Sequence, residues 1–384
     1  MQKAKLYYHG IAGILLALAL ISPSCGSAVE DAPSGLKDVY ADAFMIGTAL
    51  NTRQIYEEDV NGVRLVEEHF NAITPENITK WSLIYPKPGE YNFEPADRFV
   101  EFGEKNGMHM VGHTLVWHSQ VPDWVFKDEE GNFLDREALL ERMRDHIHTV
   151  VGRYKGRFHA WDVVNEALND DGTLRETHWY NIIGKDYLVK AFQYAHEADP
   201  DAELLYNDYS LENPAKREGA VRLIQYLQEN GAPVTGIGTQ GHWHIPSPSL
   251  EEIEKTITDF AALGIDVMVT ELDIDVLPAA WNYSGADISM VAGMEDGLDP
   301  YTEGLPDDVQ QELADRYREI FELFLKHRDV ITRVSFWGVT DGDNWKNNFP
   351  VRGRTNHPLL FDRDWQPKPA YYSVVEVAEE ILGR

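Results

Sequence analysis

The sequence predicts an α/β protein folded as a single (α/β)8 TIM barrel, on three observations. Eight short apolar or β-branched segments alternate with longer amphipathic ones, no linker or composition break interrupts them after residue 35, and polar and aromatic residues collect where the segments end. The segments span 44–50, 72–75, 109–117, 158–165, 203–206, 236–240, 266–272 and 333–339. Between them, 136–154 places Leu139, Leu140, Met143, Ile147 and Val151 on one helical face, and 216–230 closes at Gly231. Ser249 followed by Glu252 reads as a capping box that opens another helix. Parallel strands need crossover helices, so this alternation predicts a closed parallel sheet. A doubly wound open sheet is the structural alternative, but it normally has fewer strands, and no Gly-rich dinucleotide loop follows the first segment. The irregular stretch 275–306 follows the seventh segment, so it is expected to overhang the face where barrel strands end.

Composition narrows the partners. A net charge of −30 with no Lys/Arg block argues against nucleic acid, which needs a basic patch, and suits a neutral partner such as an uncharged polysaccharide. Lys3 and Lys5 precede an apolar run from Ile11 to Ile21, too short for a comfortable membrane span, so 1–24 reads as a signal peptide. The single cysteine, Cys25, stands where such a leader would be cut. One reading is a cysteine in a discarded leader. The favoured one is a bacterial lipoprotein acylated at Cys25, with 25–35 as a tether, 36–384 as the barrel, and the membrane touched only through the lipid. A monomer, secreted and held by its lipid at the outer membrane or the cell surface of a bacterium, is expected. The mature barrel then has no cysteine for a disulfide, a thiolate metal site or a nucleophile.

The segment ends carry Glu76 and Asn77 with Lys80 and Trp81 following; His113, Trp117 and His118; Asn165 and Glu166; Asn207, Asp208 and Tyr209; Gln240 and His242; Glu271 and Asp273; and Trp337. No P-loop, serine elbow or HExxH is present. Two carboxylates flanking an acetal can cleave it without a cofactor, one as proton donor and the other as attacking group. Glu166 and Glu271 each close a strongly apolar segment at the barrel mouth. Either glutamate alone would be an ordinary strand-end residue. His242 and His244 could share a face and ligate zinc, but no third ligand pattern accompanies them. For Asn165 a capping role competes with donation to a sugar hydroxyl. The tryptophans compete with core packing, and Tyr209 is equally a plain loop tyrosine or a platform for a leaving sugar.

WDVVNEA at 161–167 and VTELD at 269–273 resemble the two signature strands of glycoside hydrolase family 10, the endo-xylanases. TPENITKW, GHTLVWH, YNDY, TQGHW, SFWGVTD and PLLFDRDWQPKPAY occur in family order over nearly the whole mature chain. The resemblance implies retaining hydrolysis of β-1,4-xylosidic bonds in xylan, with Glu166 as acid/base and Glu271 as nucleophile; the lack of a convincing ligand set leads to the expectation of neither cofactor nor metal. The resemblance further implies that Glu76, Asn77 and Lys80 bind the sugar on the non-reducing side. His113 and Asn165 would hold the sugar at the nucleophile, and Trp117, Trp337 and Trp345 would wall it in. Gln240 and His242 would lie beside the nucleophile, with Asp273 orienting His242. Thr79 departs from the family, which usually has Met before the lysine. A non-catalytic glycan-binding lipoprotein and a metal-dependent barrel hydrolase are the competing classes. The first is disfavoured by the presence of both glutamates, the second by the missing ligand clusters.

Overall fold

The chain is described by a computed structural model over residues 35–280 and 285–383. Among the described residues run nine parallel strands: β1 (Met45–Leu50), β2 (Ala72–Pro75), β3 (His109–Val116), β4 (Ala160–Asn165), β5 (Glu203–Asp208), β6 (Gly236–Thr239), β7 (His242–His244), β8 (Asp266–Asp275) and β9 (Ile331–Phe336). Their order is β6-β5-β4-β3-β2-β1-β9-β8, and β6 pairs with β8 to close the ring. The barrel therefore has the eight staves that the alternation predicts. The ninth strand, β7, is the sixth stave continued past Gly241, and it pairs with β8 further along. Gly241 has φ +81, and a Cβ there would come within 2.9 Å of Val269, so only glycine makes this step comfortably.

Crossover helices cover the ring. Arg136–Arg153 buries Leu139, Leu140, Met143, Ile147 and Val151, the face read from the sequence, and Asp135 caps it by accepting from the Ala138 N–H at 2.9 Å. Each such aliphatic side chain contributes about 1.5–3 kcal/mol on burial. The next long helix starts earlier than its apolar pattern, at Pro214–Glu229, because Asn213 caps it and Pro214 takes the first turn. Only half of the expected capping box forms on Leu250–Ala261. Ser249 accepts from the Glu252 N–H, whereas the Glu252 carboxylate reaches Arg217 at 2.8 Å.

Strand ends differ from expectation at the mouth. β8 runs three residues beyond its apolar core to Asp275, since β7 supplies a partner there. β9 stops at Phe336, because Gly338 adopts φ +130. Both shifts bring polar residues to the same rim. Among the described residues, no helix is long and apolar enough to cross a membrane.

Candidate active site

Glu166 is the first residue beyond β4. Its N–H donates to the Asn207 carbonyl at 2.9 Å, so the β4–β5 ladder continues one residue past the strand. Its φ of 55 lies in the left-handed region, at a cost of order 1–3 kcal/mol for a non-glycine residue. That turn swings the side chain into the cleft. There the Trp117 indole donates to Oε2 at 2.9 Å, and the Gln240 amide donates to Oε1 at 3.0 Å. Burial, reinforced by the negative charge of Asp208, outweighs these donors and lifts the Glu166 carboxyl to about 7.

Glu271 lies within β8 and meets the opposite environment. Asn207 donates to its Oε1 at 2.7 Å, and Thr270 fixes Asn207 by donating to its Oδ1 at 2.6 Å. His242 stands 3.2 Å from Oε2, and its other ring nitrogen pairs with Asp273 at 3.0 Å. Burial pushes the Glu271 carboxyl up, but His242, His113 and Asn207 together hold it below the usual glutamate range. Burial works against a charged His242 too; Asp273 and Glu271 prevail and raise it to about 9. Two carboxylates in one cleft are thus pushed apart, one toward the acid form and one toward the anion.

The other predicted residues surround them. Glu76, Asn77, Lys80, His113, Trp117, Asn165, Gln240, His242, Trp337 and Trp345 all line the cleft that holds Glu166 and Glu271. Lys80 donates to Asn77 at 3.0 Å. His113 Nδ1 lies 2.8 Å from Asp162, leaving Nε2 as the ring nitrogen available to a ligand. Thr79, where the family usually has Met, donates to the His113 carbonyl and accepts from its N–H, so the departure fastens the strand that carries His113. Trp345 packs on Phe349 with ring centroids 4.6 Å apart and donates to Asp273 at 2.8 Å.

Two expectations need correction. Gln240 sits beside Glu271 only through its backbone, whose carbonyl accepts the Glu271 N–H at 2.8 Å; its amide turns to Glu166 instead. Tyr209 has no face open to a sugar. It is 1% exposed, Lys216 Nζ lies 3.3 Å from its ring centroid, and Arg175 bonds its hydroxyl. The sequence reading also missed four residues. Gln120 lines the cleft and accepts from Lys80 at 2.9 Å, Asn207 holds Glu271, and Ala286 and Ile288 enter from the long loop after β8. Asn207 was within reach, as it sits in the YNDY segment at a strand end. Gln120 and the loop residues carried no such signal.

His244 does not join His242 on a shared ligand set. Among the described residues, no three His, Cys, Asp or Glu side chains converge as a metal cage. Cys25 lies outside the described residues.

Comparison with known proteins agrees with this geometry. The family model described as glycosyl hydrolase family 10 matches residues 35–377. Endo-1,4-beta-xylanase A of Xylanibacter ruminicola is 43% identical over 92% of this chain and 96% of its own length. Beta-1,4-xylanase of Dictyoglomus thermophilum is 42% identical over 94% and 97%. A solved family 10 endoxylanase retrieved from a sugarcane soil metagenome superposes with a TM-score of 0.86, at 49% identity, covering 90% of this chain and 99% of its own. A closed barrel, two differently poised glutamates at its mouth and likeness over nearly the full length place this chain in glycosyl hydrolase family 10, among the glycoside hydrolases.

Proposed function

We propose that the chain is an endo-1,4-β-xylanase that cuts xylan with retention of configuration. The observation that carries this reading is the split between Glu166, lifted to about 7, and Glu271, held below its ordinary value, across one cleft. Relatives named as xylanases at above 40% identity support the substrate. Glu271 attacks the anomeric carbon while Glu166 gives its proton to the glycosidic oxygen. The glycosyl ester on Glu271 is then cleaved by water that Glu166, now a carboxylate, deprotonates. Trp117 and Gln240 stabilise that carboxylate between the two halves of the cycle. His242 keeps Glu271 anionic and aimed, with Asp273 fixing the imidazole.

Glu76, Asn77 and Lys80 offer acceptors and donors to the sugar on the non-reducing side, and His113 and Asn165 to the sugar at the nucleophile. Trp117, Trp337 and Trp345 enclose that sugar. The cleft is complete within one chain, which supports action as a monomer. The leader and Cys25 support export and lipid anchoring at the cell envelope. Incubating the protein with soluble xylan and sizing the products tests the reading: internal cuts release a ladder of xylo-oligosaccharides. Steady release of xylose alone, or no release, would refute it.

A further inference from the structure

We propose that Ile288, held in place by an Asp287–Arg175 ion pair, is a wall of the leaving-group site and sets how strongly the departing sugar is gripped. The inference rests on the reading of Glu166 as proton donor, since the donor marks the leaving side of the cut. The loop after β8 is tied down on both limbs by the segment that follows β9: Arg354 donates to the Pro278 carbonyl at 3.1 Å, and Ala292 N–H to the Pro350 carbonyl at 2.9 Å. Between those anchors, residues 286–288 reach the cleft wall, where Ala286 is buried and Ile288 half-buried.

Asp287 is held by a residue of the segment that follows Glu166. Asp287 Oδ2 is 3.2 Å from Arg175, with the two side chains only 20% and 14% exposed. Ser289 donates to the other oxygen of Asp287 through both its N–H and its hydroxyl, at 3.0 and 2.7 Å, which sets the carboxylate's direction. Arg175 belongs to the hairpin immediately after Glu166. Its N–H donates to the Ala167 carbonyl at 2.8 Å, and its Nε to the Leu168 carbonyl at 2.9 Å. Its guanidinium also bonds the hydroxyl of Tyr209, the residue just past β5.

The order of staves gives this contact its meaning. From β4, which Glu166 follows, the ring runs one way through β3 to β2, beyond which Glu76, Asn77 and Lys80 stand, and the other way through β5 and β6 to β8. Through its bond to Tyr209, Arg175 ties the pair to the segment just past β5, on the side of β4 opposite β3 and β2. Ile288 therefore faces the space into which the protonated sugar leaves. The expected platform there, Tyr209, is covered by Lys216. The aliphatic side chain of Ile288 takes that place, packing on the CH-rich face of a xylose ring, with Ala286 as the other aliphatic residue of the lining.

The test compares two substrates with the same xylobiosyl group on the glycone side. From xylotetraose the leaving group is xylobiose, which touches the wall; from β-xylobiosyl fluoride it is fluoride, too small to reach it. In Ile288→Ala the ratio of kcat/KM for the tetraose to that for the fluoride should fall about tenfold, the scale for one small apolar group in a pocket, with the change mostly in KM. Asp287→Asn should lower the same ratio about two- to fivefold, as expected for a partly exposed pair. A ratio unchanged in Ile288→Ala overturns the wall, however the two rates move together. A ratio lowered there but unchanged in Asp287→Asn overturns the role of the ion pair. Wild-type protein that releases no fluoride refutes the proposed function itself, which separates that failure from a failure of the wall.

Discussion

Trp345 and His242 bind the same oxygen of Asp273: the indole Nε1 at 2.8 Å and the imidazole Nδ1 at 3.0 Å. The tryptophan proposed to wall the sugar is thereby part of the network that orients the histidine beside Glu271. A steric role and an electrostatic role meet in one side chain, and different substitutions separate them.

Glucose differs from xylose by a hydroxymethyl group on C5, so only a clash can separate cellulose from xylan at this sugar. Trp345→Ala should improve the ratio of kcat/KM for aryl cellobioside over aryl xylobioside by about 1–3 kcal/mol. Trp345→Phe keeps a ring on Phe349 but loses the donor to Asp273. It should slow both substrates and move the ratio little. Equal losses on both substrates in the alanine variant would mean that the indole supports the cleft without choosing the sugar.

The roles of the two glutamates predict opposite responses to the leaving group. Glu166→Ala should lose xylan cleavage yet keep forming the glycosyl-enzyme from aryl xylobiosides with acidic phenols, which need little protonation. Added azide should then yield the β-glycosyl azide. Glu271→Ala should fail with every leaving group, and azide should yield the α-glycosyl azide. Identical behaviour of the two variants across leaving groups would refute the assignment.

The pH profile follows from the same split. Glu166 must carry its proton for the first step, so activity should fall as pH rises through about 7 in the free enzyme. The acid limb should lie below the ordinary glutamate range, where Glu271 takes up a proton. Trp117→Phe removes a donor that favours the Glu166 carboxylate, so the alkaline limb of kcat/KM should move upward. A downward shift would contradict the role given to the indole.

His242 makes a separate claim on stability. Its folded-state value, about 9, exceeds its unfolded value, so its contribution is fully present below about 6.5 and is lost as pH rises through 9. His242→Asn should therefore flatten the decline of thermal midpoint between about pH 6.5 and 9. An equally steep decline in the variant would place the titrating group elsewhere.

Much of this was legible in the chain because a parallel barrel ties strand ends to the active face. Glu166 and Glu271 end apolar runs, and the ring brings such ends together. What was not legible depends on turns. The left-handed backbone at Glu166 aims its carboxylate at Gln240, and no sequence pattern encodes that φ. Tyr209 was misjudged because its cover, Lys216, comes from the next helix and is wholly buried. Ile288 lies in a stretch without periodicity, so its arrival at the cleft depends on anchors such as Arg354 and Arg175, distant in sequence.

Anchoring is tested at one residue. Cys25→Ala, expressed in the native bacterium, should move activity from the membrane fraction to a soluble or unprocessed form while specific activity stays the same. Unchanged fractionation would leave an exported enzyme without a lipid.

The central claim is that Glu271 forms a covalent bond to the sugar and that Glu166 serves both halves of the cycle. Following xylan or xylotetraose hydrolysis by proton NMR from the first minutes reads this directly, because mutarotation is slower than the initial release. The account predicts that the β-anomer of the new reducing end appears first and the α-anomer grows in later. Initial release of the α-anomer would mean direct attack by water, and would contradict the double displacement assigned to this pair.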